Sequence, residues 1–170
     1  WLHNLHGYYL NIELLFKWLK EHSQIKILWT LHDCWAFTGH CAHFSAAKCD
    51  RWKSGCGDCP QLKAYPKTYG ADHTQRNYRQ KQACFTGLAN LTIIVPSEWL
   101  ARTVKQSFLK EYPVEVVHNQ IDKSLFKPTP SDFREQYGLD GKTVILGAAS
   151  VWDKEKGLLD FCRLREKLDS

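Results

Sequence analysis

The sequence predicts an α/β fold built on a parallel, Rossmann-like sheet. Three segments, Ile25 to Leu31 (IKILWTL), Leu91 to Pro96 (LTIIVP) and Thr143 to Ala149 (TVILGAA), are short, continuous apolar runs. Strands covered on both faces read this way, whereas a half-solvated sheet alternates. Helical patterns lie between the runs, and strand–helix–strand order calls for parallel strands joined by right-handed crossovers.

Each element has its own justification. In NIELLFKWLKEH, Ile12, Leu15, Phe16 and Leu19 form one apolar stripe, with Glu13 and Lys17 four residues apart on the opposite side. Gln75 to Leu88 reads as a helix with a polar face. SEWLARTVKQSFLKEY opens on Ser97, an N-cap residue type directly after Pro96, and stacks Leu100, Val104, Phe108 and Leu109. VEVV (Val114 to Val117) is a fourth, shorter strand candidate. KGLLDFCRLREKL supplies a final helix through Leu158, Leu159, Phe161, Cys162 and Leu164. Between Ile121 and Asp132, two prolines and small polar residues break both periodicities and mark a linker. The domains expected are therefore 1–123, with an irregular insertion at 33–72, and 124–170, the linker and the beginning of a second domain.

Composition narrows the function classes. Hydrophobic residues make up 44% and charged residues 24% of 170, the balance of a globular protein rather than a disordered one. No run of eighteen apolar residues offers a membrane span, and no signal peptide is recognisable. The net charge of +5 is spread among acids. Without a Lys/Arg cluster or a basic helix, nucleic acid is not an expected partner.

The insertion is the anomaly. Five of the seven cysteines (Cys34, Cys41, Cys49, Cys56 and Cys59) fall inside it. A secreted disulfide scaffold would spread them over the whole fold. Cys41, Cys49, Cys56 and Cys59 have the form C-x7-C-x6-C-x2-C, and GCGDCP is a tight knuckle that turns two thiolates toward one ion. Four thiolates at about 2.3 Å make a closed tetrahedral zinc site with no open position for catalysis. An iron–sulfur cluster accepts the same four ligands, free or paired thiols are the plainer alternative, and His40, His43 and Cys34 are spare candidates. Structural zinc contributes roughly 10–16 kcal/mol to folding in small peptide units, ample to order a stretch with so little apolar periodicity.

Five blocks in order, HNLHGYYLN, LHDCWAFTGHC, IVPSEWLA, HNQID and KGLLDF, resemble the family-four glycosyltransferases. The nearest likeness is to bacterial colanic-acid and other exopolysaccharide transferases. The resemblance covers nearly the whole chain, and LHDCWAFTGHC is its most specific part. It implies a partial GT-B fold: the acceptor-side domain and the beginning of a donor-side domain, with the active site in the cleft. It further implies retaining transfer from a nucleotide-sugar donor to a saccharide or lipid-linked acceptor in surface-polysaccharide assembly. No catalytic metal is expected. The location implied is cytoplasmic, with peripheral contact at the inner membrane.

The chain departs from the family pattern in three ways. The Gly-rich opening of the acceptor domain is absent, the acidic E-x7-E element is absent, and AASVW stands before DKEKG where the family carries Gly-Arg. The chain alone is accordingly expected to bind donor weakly and to be catalytically silent. A zinc-stabilised carbohydrate-binding module without transfer activity is the alternative reading.

Site residues follow from the blocks. His32 and Asp33 come directly after an apolar run, where ligands meet the carboxyl edge of a parallel sheet. His32 is the catalytic candidate, positioning the acceptor hydroxyl rather than acting as a strong base, with Asp33 beside it to fix its tautomer. Asp33 could equally cap a following turn. His3, Asn4 and His6 supply donors and acceptors for sugar hydroxyls, with Tyr8 or Tyr9 offering an aromatic face; capping and a buried histidine are the plain readings. The resemblance assigns Ser97, Asn119 and Lys156 to donor binding. Ser97 fits a helix start and Lys156 the diphosphate clamp, although Ser97 also reads as a simple cap and Lys156 as a solvated surface residue. Gln120 occupies the position after Asn119 where the family carries Gly.

Overall fold

A computed structural model describes residues 1–3, 5–7, 9–152 and 156–168. The chain divides into two compact units, Trp1–Gln120 and Ile121–Ser170.

The first unit is a four-stranded sheet in the order β1 (Leu2–His3), β2 (Ile27–Thr30), β3 (Leu91–Val95), β4 (Val114–Val116). Every pairing is parallel, with Leu2 opposite Trp29, Trp29 opposite Ile93, and Ile93 opposite Val114. Three helices make the crossovers: α1 (Ile12–Glu21), α2 (Thr74–Phe85) and α3 (Glu98–Val104). Asn11 starts α1 by accepting the Leu14 N–H at 3.0 Å, and Ser97 starts α3 in the same way. Each satisfies one of the orphan donors of a helix N-terminus.

A sheet whose strands lie in sequence order, joined by right-handed crossovers, carries all its helices on one face. The burial pattern agrees. Ile27, Trp29, Leu91, Ile93 and Val95 are buried, while Leu28, Thr30, Thr92 and Ile94 between them are only half-buried. Continuous apolar runs had suggested helices on both faces; the sheet of this unit instead alternates. The residues on its second face in β2 and β3 are apolar or β-branched, so only Thr30 and Thr92 mark the alternation there.

The core sits where α1 and α2 cross β2. Phe16 lies 5.4 Å from Trp29 and 4.6 Å from Phe85, and Trp29 meets Phe85 edge-on at 4.9 Å between centroids. The segment between β2 and α2 has an apolar centre of its own, contrary to its irregular sequence. Phe44 stacks on Trp52 at 4.6 Å, Phe37 closes on the same indole at 5.6 Å, and all three are buried. Aromatic anchors at irregular spacing leave no periodic trace, though each buries a large area.

The second unit contains α4 (Phe133–Gln136) and α5 (Leu158–Leu168). Trp152 packs on Phe161 at 5.8 Å, directly over Gly147, where a Cβ would come within 2.8 Å of the indole. The expected strand at Thr143 to Ala149 is not formed, and Val144, Ile145 and Leu146 are exposed. A strand must give its N–H and C=O groups to a neighbour, and among the described residues of this unit none is available. No helix among the described residues is long and apolar enough to cross a membrane.

Candidate functional site

Parallel pairing sends every strand of the first unit out at one edge. β1 places His3 opposite Thr30, and the chain then turns through a single 3-10 turn, Leu5–Gly7, that carries His6. β2 ends at Thr30, Leu31 makes one more ladder bond to the Ile94 carbonyl at 2.9 Å, and His32 and Asp33 follow. β3 leads to Ser97, and β4 to His118 and Asn119.

His3 and His32 meet at this edge. Their Nε2 atoms are 2.8 Å apart with the rings edge to face at 78°. One ring must donate and the other accept, so each sets the tautomer of its neighbour. Both side chains are exposed, and the Tyr9 hydroxyl donates to the His3 carbonyl at 3.2 Å. Asn4 and Tyr8 lie outside the described residues.

A second pair stands beside the first. His6 Nε2 is 3.1 Å from Asp33 Oδ2, and the other carboxylate oxygen accepts the Trp35 N–H at 2.8 Å. Asp33 therefore caps its turn, as one of its two readings expects, but the histidine it holds is His6 and not the expected His32, whose ring is set by His3 instead. The His6 ring is flanked by Trp35 at 5.4 Å and Tyr65 at 6.3 Å. The cavity lined by His6, His32, Asp33 and Trp35 is only about 20 Å³, enough for about one water. A sugar would lie over this face rather than inside it.

The remaining candidates are distributed. Ser97 Oγ accepts the Leu100 N–H at 3.3 Å, so its hydroxyl serves the cap. Asn119 is exposed just past β4, where His118 Nδ1 donates to the Pro96 carbonyl at 2.9 Å and ties the exits of β3 and β4 together. Lys156 belongs to the second unit, exposed two residues before α5.

Sequence reasoning missed Lys81. It is buried on α2 and donates to the carbonyls of Trp35 at 2.7 Å and Thr38 at 3.0 Å, with the Trp35 ring centre 3.5 Å away. Burial pushes its ammonium down to about 7, against the opposing pull of Cys56, Asp33 and Cys41. One basic residue among several on a polar helix gives no sign that it faces inward. Trp35 and Tyr65, the aromatic neighbours of His6, were also not singled out.

Cys41, Cys49, Cys56 and Cys59 line a common cavity of about 20 Å³ with His40, Arg51, Trp52, Gln61 and Thr74. All seven cysteines are free thiols. Burial pushes Cys41 up to about 11, reinforced by Cys59 and Cys56, and raises Cys56 and Cys59 as well. As the side chains stand, no group of three or more His, Cys, Asp or Glu among the described residues could hold a metal ion.

Comparison with known proteins supplies one relative. Over 68 residues the chain is 41% identical to the Escherichia coli (strain K12) protein named "Putative colanic acid biosynthesis glycosyl transferase WcaC". The chain is similar to a glycosyltransferase. The match takes in 38% of this chain and 16% of that relative's length. No family model and no solved structure matches. The likeness and the parallel sheet agree with the resemblance read from the five sequence blocks.

Proposed function

We propose that the protein carrying this chain is a retaining glycosyltransferase of bacterial surface-polysaccharide biosynthesis, with Trp1–Gln120 on its acceptor side. The observation that carries this reading is the His3–His32 contact at the carboxyl edge of the sheet, next to the His6–Asp33 pair. Parallel α/β sheets bind ligands at that edge. Two imidazoles exposed to solvent and fixed by each other offer a rigid donor and acceptor to a sugar hydroxyl. The likeness to a colanic acid transferase supports the same chemistry.

In this mechanism His32 holds the acceptor oxygen close to the anomeric carbon on the face from which the diphosphate departs, the hydroxyl proton passing to the leaving diphosphate oxygen, and His3 fixes the orientation of His32. Orientation of this kind lowers the barrier by removing freedom in advance rather than by moving a proton. The His6–Asp33 pair forms a polar wall beside His3 and His32, backed by the buried Trp35 ring. Ser97 and Asn119 are the donor-side candidates of the first unit and Lys156 is that of the second, where a cation would neutralise charge on the departing nucleoside diphosphate. No catalytic metal is required. The acceptor is a saccharide or lipid-linked sugar, used at the cytoplasmic face of the inner membrane.

The test is transfer by the full-length protein from a panel of nucleotide sugars to lipid-linked oligosaccharide, with the new linkage examined by NMR. Retention of the donor's anomeric configuration is expected. An inverted linkage, or donor hydrolysis without transfer to any acceptor, contradicts the reading.

A further inference from the structure

The side chains around the cysteine-lined cavity are paired in an unusual way. Among the described residues, four buried side-chain polar atoms lack a hydrogen-bond partner: His40 Nε2, Trp52 Nε1, Gln61 Oε1 and Thr74 Oγ1. All four belong to residues lining the cavity that also presents Cys41, Cys49, Cys56 and Cys59. His40, Trp52 and Thr74 are only 6%, 3% and 2% exposed. A buried polar group without a partner is costly, and native proteins leave few. Here they are concentrated at one place.

Their chemistry is of one kind. Indole N–H is a donor only, the threonine hydroxyl can donate, and imidazole Nε2 donates in one tautomer. Exchanging the oxygen and nitrogen of the Gln61 amide, which the hydrogen-bond network decides, adds a fourth donor. A thiol is a weak partner for such groups; a thiolate is a strong one. One such bond already exists, since the Gly39 N–H donates to Cys56 Sγ at 3.2 Å. Positive charge is close by as well. Arg51 donates to the carbonyl of Gly57 at 2.6 Å and to that of Asp58, bracing the turn between Cys56 and Cys59. Asp72 accepts the Cys59 N–H at 2.7 Å and the Thr74 N–H at 2.8 Å, fixing that turn to the start of α2.

Four cysteines on one small cavity, ringed by donors and with Arg51 beside them, suit a cluster of thiolates. Thiolates crowded together require a cation among them. We propose that Cys41, Cys49, Cys56 and Cys59 bind one structural zinc ion, with the surrounding donors turned to the coordinated sulfurs. The cavity, about 20 Å³, has room for a single water-sized species. The side chains as they stand are not a coordination set, so binding draws the four sulfurs together by side-chain rotation around a turn already braced by Arg51 and Asp72. The ion would join three separate parts of the segment and seat its aromatic cluster. This site is independent of the sugar-transfer reading.

Elemental analysis of the purified chain, together with cobalt(II) substitution, tests the proposal. Zinc at about one per chain and a visible spectrum of tetrahedral cobalt–thiolate coordination are expected. Cys56→Ser and Cys59→Ser should each abolish the spectrum, while Cys84→Ser and Cys162→Ser leave it intact. If a serine variant does not fold, thiol titration of the folded wild-type chain with and without a chelator gives the same answer. Four thiols should be shielded until the chelator is added. Free reaction of Cys41, Cys49, Cys56 and Cys59 without chelator, two disulfides by mass spectrometry, or iron with inorganic sulfide would each overturn the assignment.

Discussion

Lys81 on α2 donates from Nζ to the Trp35 carbonyl at 2.7 Å and stands 3.5 Å from the centre of the same residue's ring. It thereby ties the helix behind the sheet to the turn that carries Asp33 and flanks His6.

A buried cation of this kind has a pH signature. The folded-state value lies at about 7, against an ordinary value of 10.5. Between these the unfolded chain holds a proton that the folded chain has released, so stability rises with pH. Below about 7 both states are protonated and the contribution is lost. From about pH 9 upward the thiols of Cys34 and Cys84 act in the opposite sense, because they are raised to about 12 and about 11. Urea unfolding midpoints should therefore rise from pH 7 to 9 in the native chain and lose that rise in Lys81→Met. An unchanged pH slope in the variant would remove Lys81 as its source.

The aromatic core gives a prediction about stability alone. Phe85 is fully buried between Phe16 and Trp29, and Phe85→Ala should destabilise the first unit by about 3–5 kcal/mol. Denaturant titration followed by tryptophan fluorescence measures this directly. A loss below about 1 kcal/mol would mean that the site collapses freely and the packing is loose.

Two glycines of the cysteine-rich segment should behave differently. A Cβ on Gly39 would come within 2.1 Å of the Thr74 carbonyl oxygen and 2.8 Å of Cys56 Cβ, whereas one on Gly57 meets nothing nearer than 3.8 Å. Gly39→Ala should cost about 1–3 kcal/mol, as overpacking does. Gly57→Ala should stay within about 0.5 kcal/mol, as substitutions away from special features do. Paired thermal melts distinguish them, and equal effects would show that the approach of Gly39 to α2 is not close.

The contrast between these residues explains what the sequence disclosed. The runs at Ile25–Leu31 and Leu91–Pro96 were legible as parallel strands because each is short and mostly apolar, and they pair as neighbours. The alternating burial was not legible, because Leu28, Thr92 and Ile94 on the half-buried face carry strand-forming side chains too. Val144 to Leu146 has the same composition yet forms no strand, since pairing is a property of neighbours rather than of the segment. His32 could be located at a strand exit from its own surroundings. Its contact with His3 depends on the register of β1 against β2, which nothing local specifies. Lys81 was invisible for a related reason: a polar residue's burial depends on carbonyls more than forty positions away in sequence.

The central claim is that the edge carrying His3, His6, His32 and Asp33 receives the acceptor. Its most direct test is steady-state transfer by the full-length protein carrying His32→Ala, with thermal unfolding measured on the same sample. His32 is exposed and carries little packing, so the melting temperature should stay within about 2 °C, the shift of a change well under 1 kcal/mol. Turnover should fall by roughly 100-fold, as the loss of a positioning group allows. Unchanged turnover with an unchanged melting temperature would contradict the claim, and the edge would then have no part in the reaction.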